Sequence, residues 1–216
     1  MKYIIMCGGC YKKWRVPRQL LKYNGEQIVA RTIRLLQDAG VTDIAISSNQ
    51  PGFDKFGVPV LVHKNSYNAR KYNDFDGYWC DAFYPTDEPT CYLFGDVIYS
   101  PAAIQTIVDY KTNDIMFFGS KRPFALAYPK DHVEPFAFKV GNTAHLKIAC
   151  EETKWLYEHD PDAFSRKPIA WELWYVICGA PTNQDAEHIV GADYVAINDY
   201  TCDIDYPSEA RERSIK

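Results

Sequence analysis

Residues 3–47 begin with the run YIIMCGG (3–9), pass through a loop rich in lysine and arginine, and end with EQIVARTIRLLQDAGVTDIAIS (26–47). The first run is short, apolar and prone to β-structure, which is typical of a fully buried strand. In the second, apolar residues recur at helical spacing from Glu26 to Ala39, and Gly40 is a stop signal for that helix. Val41 to Ser47 then predicts a second buried strand. Strand, helix and strand joined in this way predict a parallel pair with a right-handed crossover.

The rest of the chain continues the alternation of strands and helices. It predicts strands at 58–62, 92–94, 115–118, 124–128, 136–140 and 194–197, helices at 101–110, 143–159 and 169–178, and a short helix at the end of the sequence. We therefore expect an α/β fold with a central mixed sheet.

Composition excludes several classes of protein. The 216 residues carry a formal net charge of −4, which disfavours bulk nucleic-acid binding because that needs a basic face. No apolar run approaches the roughly 20 residues that span a bilayer, and the first residues lack the pattern of a signal peptide. Its seven cysteines are scattered and odd in number, which indicates reduced thiols. We expect a cytoplasmic protein without nucleic-acid or membrane partners, and leave oligomerisation open.

Ligands of open α/β sheets bind at the carboxyl ends of the strands, and three segments of this chain fall there. They are the loop after the first strand, the pair Gly95-Asp96, and the tail around Asp203 and Asp205. The loop offers a glycine turn that presents backbone amides to an anion. It also carries a cluster of cations: Lys12, Lys13, Arg15, Arg18 and Lys22.

Glycine amides followed by flexible cations are what a triphosphate requires, because both neutralise phosphate oxygens. A solvated basic loop with a glycine turn explains the same composition, so the loop alone leaves both interpretations open. Its spacing matches neither the G-x-x-x-x-G-K-[ST] loop nor the G-x-G-x-x-G motif.

Several short motifs occur in a fixed order along the chain. They are Gly8-Gly9, Pro17-Arg18-Gln-Leu-Leu, Asn24-Gly25-Glu26, Arg31-Thr32, Asp38-Ala39-Gly40, Gly95-Asp96 and the segment 203–210. In this order they resemble the nucleotidyltransferase family with a GT-A-like fold. That family includes sugar-1-phosphate nucleotidylyltransferases, cytidylyltransferases and molybdenum-cofactor guanylyltransferases.

The resemblance implies one nucleotidyltransferase domain over residues 1–216, with a GT-A-like (Rossmann-like) α/β fold. Its sheet is mixed and mostly parallel, with helices on both faces. The implied activity transfers a nucleoside monophosphate from a nucleoside triphosphate to a phosphorylated acceptor, with Mg²⁺ as cofactor and pyrophosphate as product. The acceptor is a sugar phosphate, phosphocholine or a phosphonate, and residues 119–180 select it.

The resemblance also implies roles for individual residues. Arg18 stands where the family usually has lysine and neutralises the triphosphate and the transition state. The other roles are catalytic for Lys12 and its neighbour Lys13, nucleotide binding for Cys7, Gly8, Gly9, Arg15 and Gly77, metal binding for Asp96, Asp205 and Asp203, and acceptor binding for Lys121, Arg122 and Lys139.

Other interpretations remain for these residues. Asp96 suits a helix N-cap, although Ser100 before Pro101 is the better one. Asp203 and Asp205 suit caps of the terminal helix. Tyr78 and Trp79 suit core aromatics.

Three other functions also remain. A GT-A glycosyltransferase shares the fold and a metal carboxylate, but it usually has Asp-x-Asp at the end of the middle strand, where this chain has Gly95-Asp96-Val97-Ile98. A thiol–disulfide oxidoreductase would use Cys7 and Cys10. A non-catalytic nucleotide-binding module is compatible with the loss of the family's loop arginine.

Overall fold

The structure, a computed structural model, describes residues 1–8, 14, 16–62, 68–71, 74–121, 133–186, 188–205 and 207. The strands are β1 (Lys2–Met6), β2 (Lys22–Tyr23), β3 (Glu26–Gln27), β4 (Ile44–Ser48), β5 (Val60–Val62), β6 (Asn68–Lys71), β7 (Asp74–Asp76), β8 (Thr90–Phe94), β9 (Ile115–Gly119), β10 (Pro135–Val140) and β11 (Val195–Ala196). The helices are α1 (Ile28–Asp38), α2 (Pro101–Asp109), α3 (Thr143–His159) and α4 (Ala170–Cys178). Short 3₁₀ turns occur at Arg18–Leu20, Asp54–Phe56 and Trp79–Ala82.

A seven-stranded sheet forms the centre, in the order β11-β9-β10-β8-β1-β4-β5. β1 pairs in parallel with both β4 and β8, β4 with β5, and β9 with β11. β10 lies between β8 and β9 and runs antiparallel to both. The carboxyl ends of the other six strands therefore share one edge of the sheet with the beginning of β10.

Helices cover both faces of this sheet, as the family resemblance implies. Side chains alternate across a strand, so Tyr3 and Ile5 of β1 enter one core while Ile4 and Met6 enter the other. The first core is closed by apolar residues of α1 and α2, and the second by residues of α3 and α4. The fold is thus a mixed, mostly parallel α/β sheet with two hydrophobic cores. Within the described part of the chain, no helix is both long and apolar enough to cross a bilayer.

The predicted helix at 143–159 matches α3, and the predicted helices at 101–110 and 169–178 differ from α2 and α4 by one residue. The hairpins β2–β3 and β6–β7 were not predicted, because two to four residues carry too little periodicity. The predicted strand at 124–128 lies outside the described residues, as does nearly all of the predicted terminal helix.

The segment after β11 returns along the start of α2 and brings the C-terminal aspartates to the sheet edge. Ile98 and Cys202 exchange two backbone hydrogen bonds. The Ser100 amide donates to Thr201 Oγ1 (3.0 Å), and the Ser100 hydroxyl donates to the Asp199 carboxylate. Cys202 and Ile204 are buried. Asp203 and Asp205 are therefore placed by a well-anchored segment.

Gly95 lets the ends of β1 and β8 approach each other. A Cβ at this position would lie 2.5 Å from the Met6 carbonyl oxygen and 2.7 Å from Cys7 Sγ. The Gly95 amide also donates to that carbonyl at 3.0 Å. Any larger residue would therefore push the two strand ends apart and displace the neighbouring Asp96.

We expect Gly95→Ala to lower the free energy of unfolding by about 3 kcal/mol, at the upper end of the cost of overpacking. Gly57→Ala is the matched control, because Gly57 has φ +72° but open space around the position of its Cβ. It should cost only about 1 kcal/mol of backbone strain. Urea unfolding of both variants measures the difference, and equal losses would show that the close approach at Gly95 is not essential.

Candidate active site

The edge where the parallel strands end collects most of the sequence-predicted residues that the structure describes. Cys7 and Gly8 follow β1, Asp96 follows β8, and Lys121 lies two residues beyond β9. The 3₁₀ turn that begins at Arg18 and the tail that carries Asp203 and Asp205 lie against the same edge. The evidence is a group of ion pairs between these segments.

Arg18 is the centre of that group. Its Nη2 forms an ion pair with Oδ2 of Asp96, and its Nη1 lies 2.8 Å from Oδ1 of Asp205. Nη1 also donates to the Ile204 carbonyl oxygen at 2.7 Å. Burial disfavours the charge on Arg18, but the nearby carboxylates of Asp96 and Asp205 outweigh it and raise the pKa of Arg18. Asp96 and Asp205 therefore converge on one guanidinium from two different parts of the fold.

Several carboxylates gather at this edge of the sheet. Single oxygens of Glu134, Asp203 and Asp205 lie within 4.8 Å of one another. Asp96 contacts the same guanidinium as Asp205. Glu134 is buried at the start of β10, whereas the two aspartates are half-buried. Mg²⁺ prefers hard oxygen ligands and usually takes one or two carboxylates together with substrate phosphates. The chemistry of this donor set therefore fits the expected Mg²⁺.

Capping does not account for Asp96. Ser100 caps α2, since its side chain accepts a hydrogen bond from the Ala103 amide at 2.9 Å. Asp96 instead has its side chain on Arg18 and is only 18% exposed. Capping by Asp203 or Asp205 concerns the terminal helix, nearly all of which lies outside the described residues.

The first loop is described only at its two ends and at Trp14. Cys7 is buried after β1, and its amide donates to the Ser47 carbonyl oxygen at 2.8 Å. Trp14 packs against the first core, and its Nε1 donates to the Asp205 carbonyl oxygen at 3.3 Å. The other expected loop residues, Gly9, Lys12, Lys13 and Arg15, lie outside the described residues, as does Cys10.

The environment of Cys7 argues against thiol chemistry at this loop. Burial, with a further contribution from the negative charge of Asp96, raises the pKa of the Cys7 thiol well above its usual value. A reactive cysteine needs the opposite, a partly exposed thiolate stabilised by positive charge. The oxidoreductase interpretation is therefore disfavoured at Cys7.

Gly77 lies where the chain turns into the 3₁₀ segment Trp79–Ala82, and its φ of +74° favours glycine. Trp79 makes edge-to-face contacts with Phe83 and Phe94 at centroid distances of 5.4 Å, so it behaves as a core aromatic. The Tyr78 hydroxyl donates instead to Glu158 on α3. The predicted nucleotide contact of Gly77 remains a prediction.

Lys121 lines a cavity close to the carboxylates. The cavity has a volume of about 350 Å³. Lys121 directly follows Ser120, whose amide donates to the Glu134 carbonyl oxygen at 2.8 Å, and Val133, which also lines the cavity, directly precedes Glu134. The remaining lining residues are Ala186, Ile189, Ala192, Asp193 and Tyr194. Arg122, the second expected acceptor ligand, lies outside the described residues.

Lys139 does not belong to this edge, which corrects the sequence-based expectation that it binds an acceptor. It is buried, and its Nζ donates to the carbonyl oxygens of Ile107 and Val108 at the end of α2, at 2.7 and 2.8 Å. Burial lowers its pKa. Because β10 is antiparallel, Lys139 near its end is carried to the opposite edge of the sheet.

Glu134 was missed for the same reason. It directly precedes β10, so the antiparallel direction brings it to the edge where the parallel strands end. A single acid before a strand was the only signal in the sequence, and strand direction is not encoded in a period-2 pattern.

Comparison with solved structures identifies the architecture. The inositol-1-phosphate CTP transferase from T. maritima superposes with a TM-score of 0.54 at 15% identity, covering 99% of this chain and 93% of that one. The chain shares the fold of that transferase. Rv0371c from Mycobacterium tuberculosis H37Rv is similar too, with a TM-score of 0.52 and 17% identity over 98% of this chain and 95% of that one. No family model and no curated protein matches the sequence.

These structural likenesses confirm the GT-A-like fold that the sequence motifs imply. At such low identity they establish the fold alone, and a fold hosts many functions. The function therefore has to be argued from the residues gathered at the sheet edge.

Proposed function

We propose that this protein is a metal-dependent nucleotidyltransferase. It moves a nucleoside monophosphate from a nucleoside triphosphate to a phosphorylated acceptor and releases pyrophosphate. The observation that carries the proposal is the guanidinium of Arg18 held between Asp96 and Asp205, at the adjoining ends of β1 and β8. A cation and several carboxylates at this edge are what a metal–triphosphate complex needs, and the shared fold is consistent with it.

In the proposed reaction, an oxygen of the acceptor phosphate attacks the α-phosphorus in line. The bond from the α-phosphorus to the bridging oxygen of the β-phosphate breaks, and pyrophosphate leaves with that electron pair. Because the acceptor phosphate is already ionised, no general base has to remove a proton. The protein contributes orientation and neutralisation of charge.

The residues at the sheet edge and in the first loop divide the work of this mechanism. The Gly8 backbone lies where the triphosphate is bound, and Arg18 neutralises the charge that develops on the α- and β-phosphates. Asp96, Asp205 and Asp203 would hold Mg²⁺, with the carboxylate of Glu134 beside Asp203 and Asp205. Bound there, Mg²⁺ would supply positive charge to the phosphate oxygens. Lys12, with Lys13 and Arg15 as alternatives, supplies the second loop cation.

Residues 119–180 are proposed to select the acceptor, together with the later residues that line the cavity beside Lys121. The cationic Lys121 in the cavity wall binds the acceptor phosphate, while the cavity receives the group that bears it. We also propose that the enzyme works in the cytoplasm on small molecules.

We expect Lys121→Ala to raise KM for the acceptor about tenfold, the scale of one hydrogen bond to a charged group, and to leave kcat nearly unchanged. Lys147→Ala on the exposed side of α3 is the matched control and should change neither parameter. Steady-state kinetics with varied acceptor measures both variants. An unchanged KM in Lys121→Ala would remove this cavity from the acceptor site.

Pyrophosphate release tests the function itself. The protein is incubated with Mg²⁺, each of the four common nucleoside triphosphates, and sugar phosphates, phosphocholine or phosphonates. Release that requires one triphosphate and one acceptor supports the proposal. A nucleotide that binds but is never turned over would favour the non-catalytic module, and release of a nucleoside diphosphate from a nucleotide sugar would favour the glycosyltransferase.

A further inference from the structure

The contacts of Arg18 engage the carboxylates that are proposed to hold the metal. The guanidinium contacts Oδ2 of Asp96 and Oδ1 of Asp205 at the same time. We propose that Arg18 is a displaceable counter-cation. In the nucleotide-free protein it holds Asp96 and Asp205 and keeps a divalent cation out, and a triphosphate withdraws it so that metal and nucleotide bind together. This inference rests on the proposed function.

Electrostatics makes the two cations competitors. A divalent ion on Asp96 and Asp205 would lie within a few ångströms of the guanidinium, in a half-buried place where charges repel more strongly than in water. The metal ion and the guanidinium would also bind to lone pairs of the same two carboxylates. The metal therefore binds these carboxylates well only after the arginine has left them.

The turn that carries Arg18 does not depend on the ion pairs of its side chain. The 3₁₀ turn is closed by its own hydrogen bonds, from the Leu20 amide to the Pro17 carbonyl oxygen and from the Leu21 amide to the Arg18 carbonyl oxygen. The Arg18 side chain is tied down by contacts at its terminal nitrogens and is 16% exposed. Rotation of this side chain breaks the ion pairs and leaves the turn in place.

A triphosphate is a suitable competitor for the guanidinium. It brings about four negative charges, and its oxygens accept the paired hydrogen bonds that arginine donates. A lysine at the same position is a point charge and does not bridge two carboxylates in this way. An arginine that bridges Asp96 and Asp205 therefore ties metal entry to nucleotide entry.

Direct metal binding tests this inference without any turnover. Mn²⁺ is titrated into nucleotide-free protein and followed by electron paramagnetic resonance. We expect Arg18→Gln to bind Mn²⁺ at least about tenfold more tightly than the unaltered protein, because a competing charge is gone. Arg34→Gln is the control: it removes an exposed arginine of α1 that is paired with Glu26 and Asp38, and should behave like the unaltered protein.

Thermal unfolding provides a second readout. It remains informative for a variant that folds poorly, because each variant is compared with itself before and after Mn²⁺ is added. Mn²⁺ alone should raise the Tm of Arg18→Gln and, less strongly, of Arg18→Lys, while the unaltered protein should need Mn²⁺ and inorganic tripolyphosphate together. Equal Mn²⁺ affinity in the unaltered protein and Arg18→Gln would overturn the inference, as would an equal rise in Tm with Mn²⁺ alone. A third outcome separates the two proposals. If Arg18→Gln binds Mn²⁺ more tightly but the unaltered protein releases no pyrophosphate, the competition between Arg18 and the metal is retained and the proposed function is rejected.

Discussion

Asp96→Asn is expected to abolish nucleotidyl transfer, with kcat reduced by more than about 10³-fold. The substitution keeps the size of the side chain but removes the charge that pairs with Arg18 and is proposed to hold Mg²⁺. Asp205→Asn should have a similar effect, because Asp205 contacts the same guanidinium. The measurement is the initial rate of pyrophosphate release at saturating substrates.

Asp38→Asn is the matched control for these two variants. Asp38 is also an aspartate paired with an arginine, but it lies on the exposed side of α1 and contacts Arg34. It should retain full activity. Near-normal activity in Asp96→Asn or Asp205→Asn, with folding verified by circular dichroism, would remove that residue from the proposed metal site.

Arg18→Ala should lower kcat by about 10²–10³-fold, the scale of losing one preorganised group that stabilises charge in the transition state. KM for the triphosphate should rise much less, because the charge on the phosphates grows as the α-phosphorus is attacked. Arg18→Lys should restore much of the rate, since lysine is usual at this position in the resembling family. An Arg18→Ala enzyme with both parameters unchanged would place the reaction elsewhere.

The parts of the fold with a strong local pattern were predictable. The apolar spacing from Glu26 to Ala39 predicted α1 to within two residues, and the Ser100-Pro101 pair identified the start of α2. Elements with weak patterns were missed, such as the two-residue strands β2 and β3. The mixed character of the sheet was expected, but which strand runs antiparallel depends on tertiary packing.

The antiparallel direction of β10 explains the main differences between the predicted and the observed site. The sequence placed Lys139 with the acceptor ligands, yet β10 runs antiparallel and carries it to the far edge. The same direction brings Glu134, which had no role in the sequence-based interpretation, next to Asp203 and Asp205. By contrast, Asp96 and Asp205 were expected to meet and both contact Arg18. The unforeseen feature is that an arginine joins them.

Isotope transfer tests the central claim most directly. The protein is incubated with Mg²⁺, an acceptor and a nucleoside triphosphate that carries ³²P at either the α- or the γ-phosphorus. Nucleotidyl transfer predicts that the α-label appears in the acceptor product and the γ-label in pyrophosphate. A γ-label on the acceptor, or release of the γ-label as inorganic phosphate without any α-labelled product, would contradict the account.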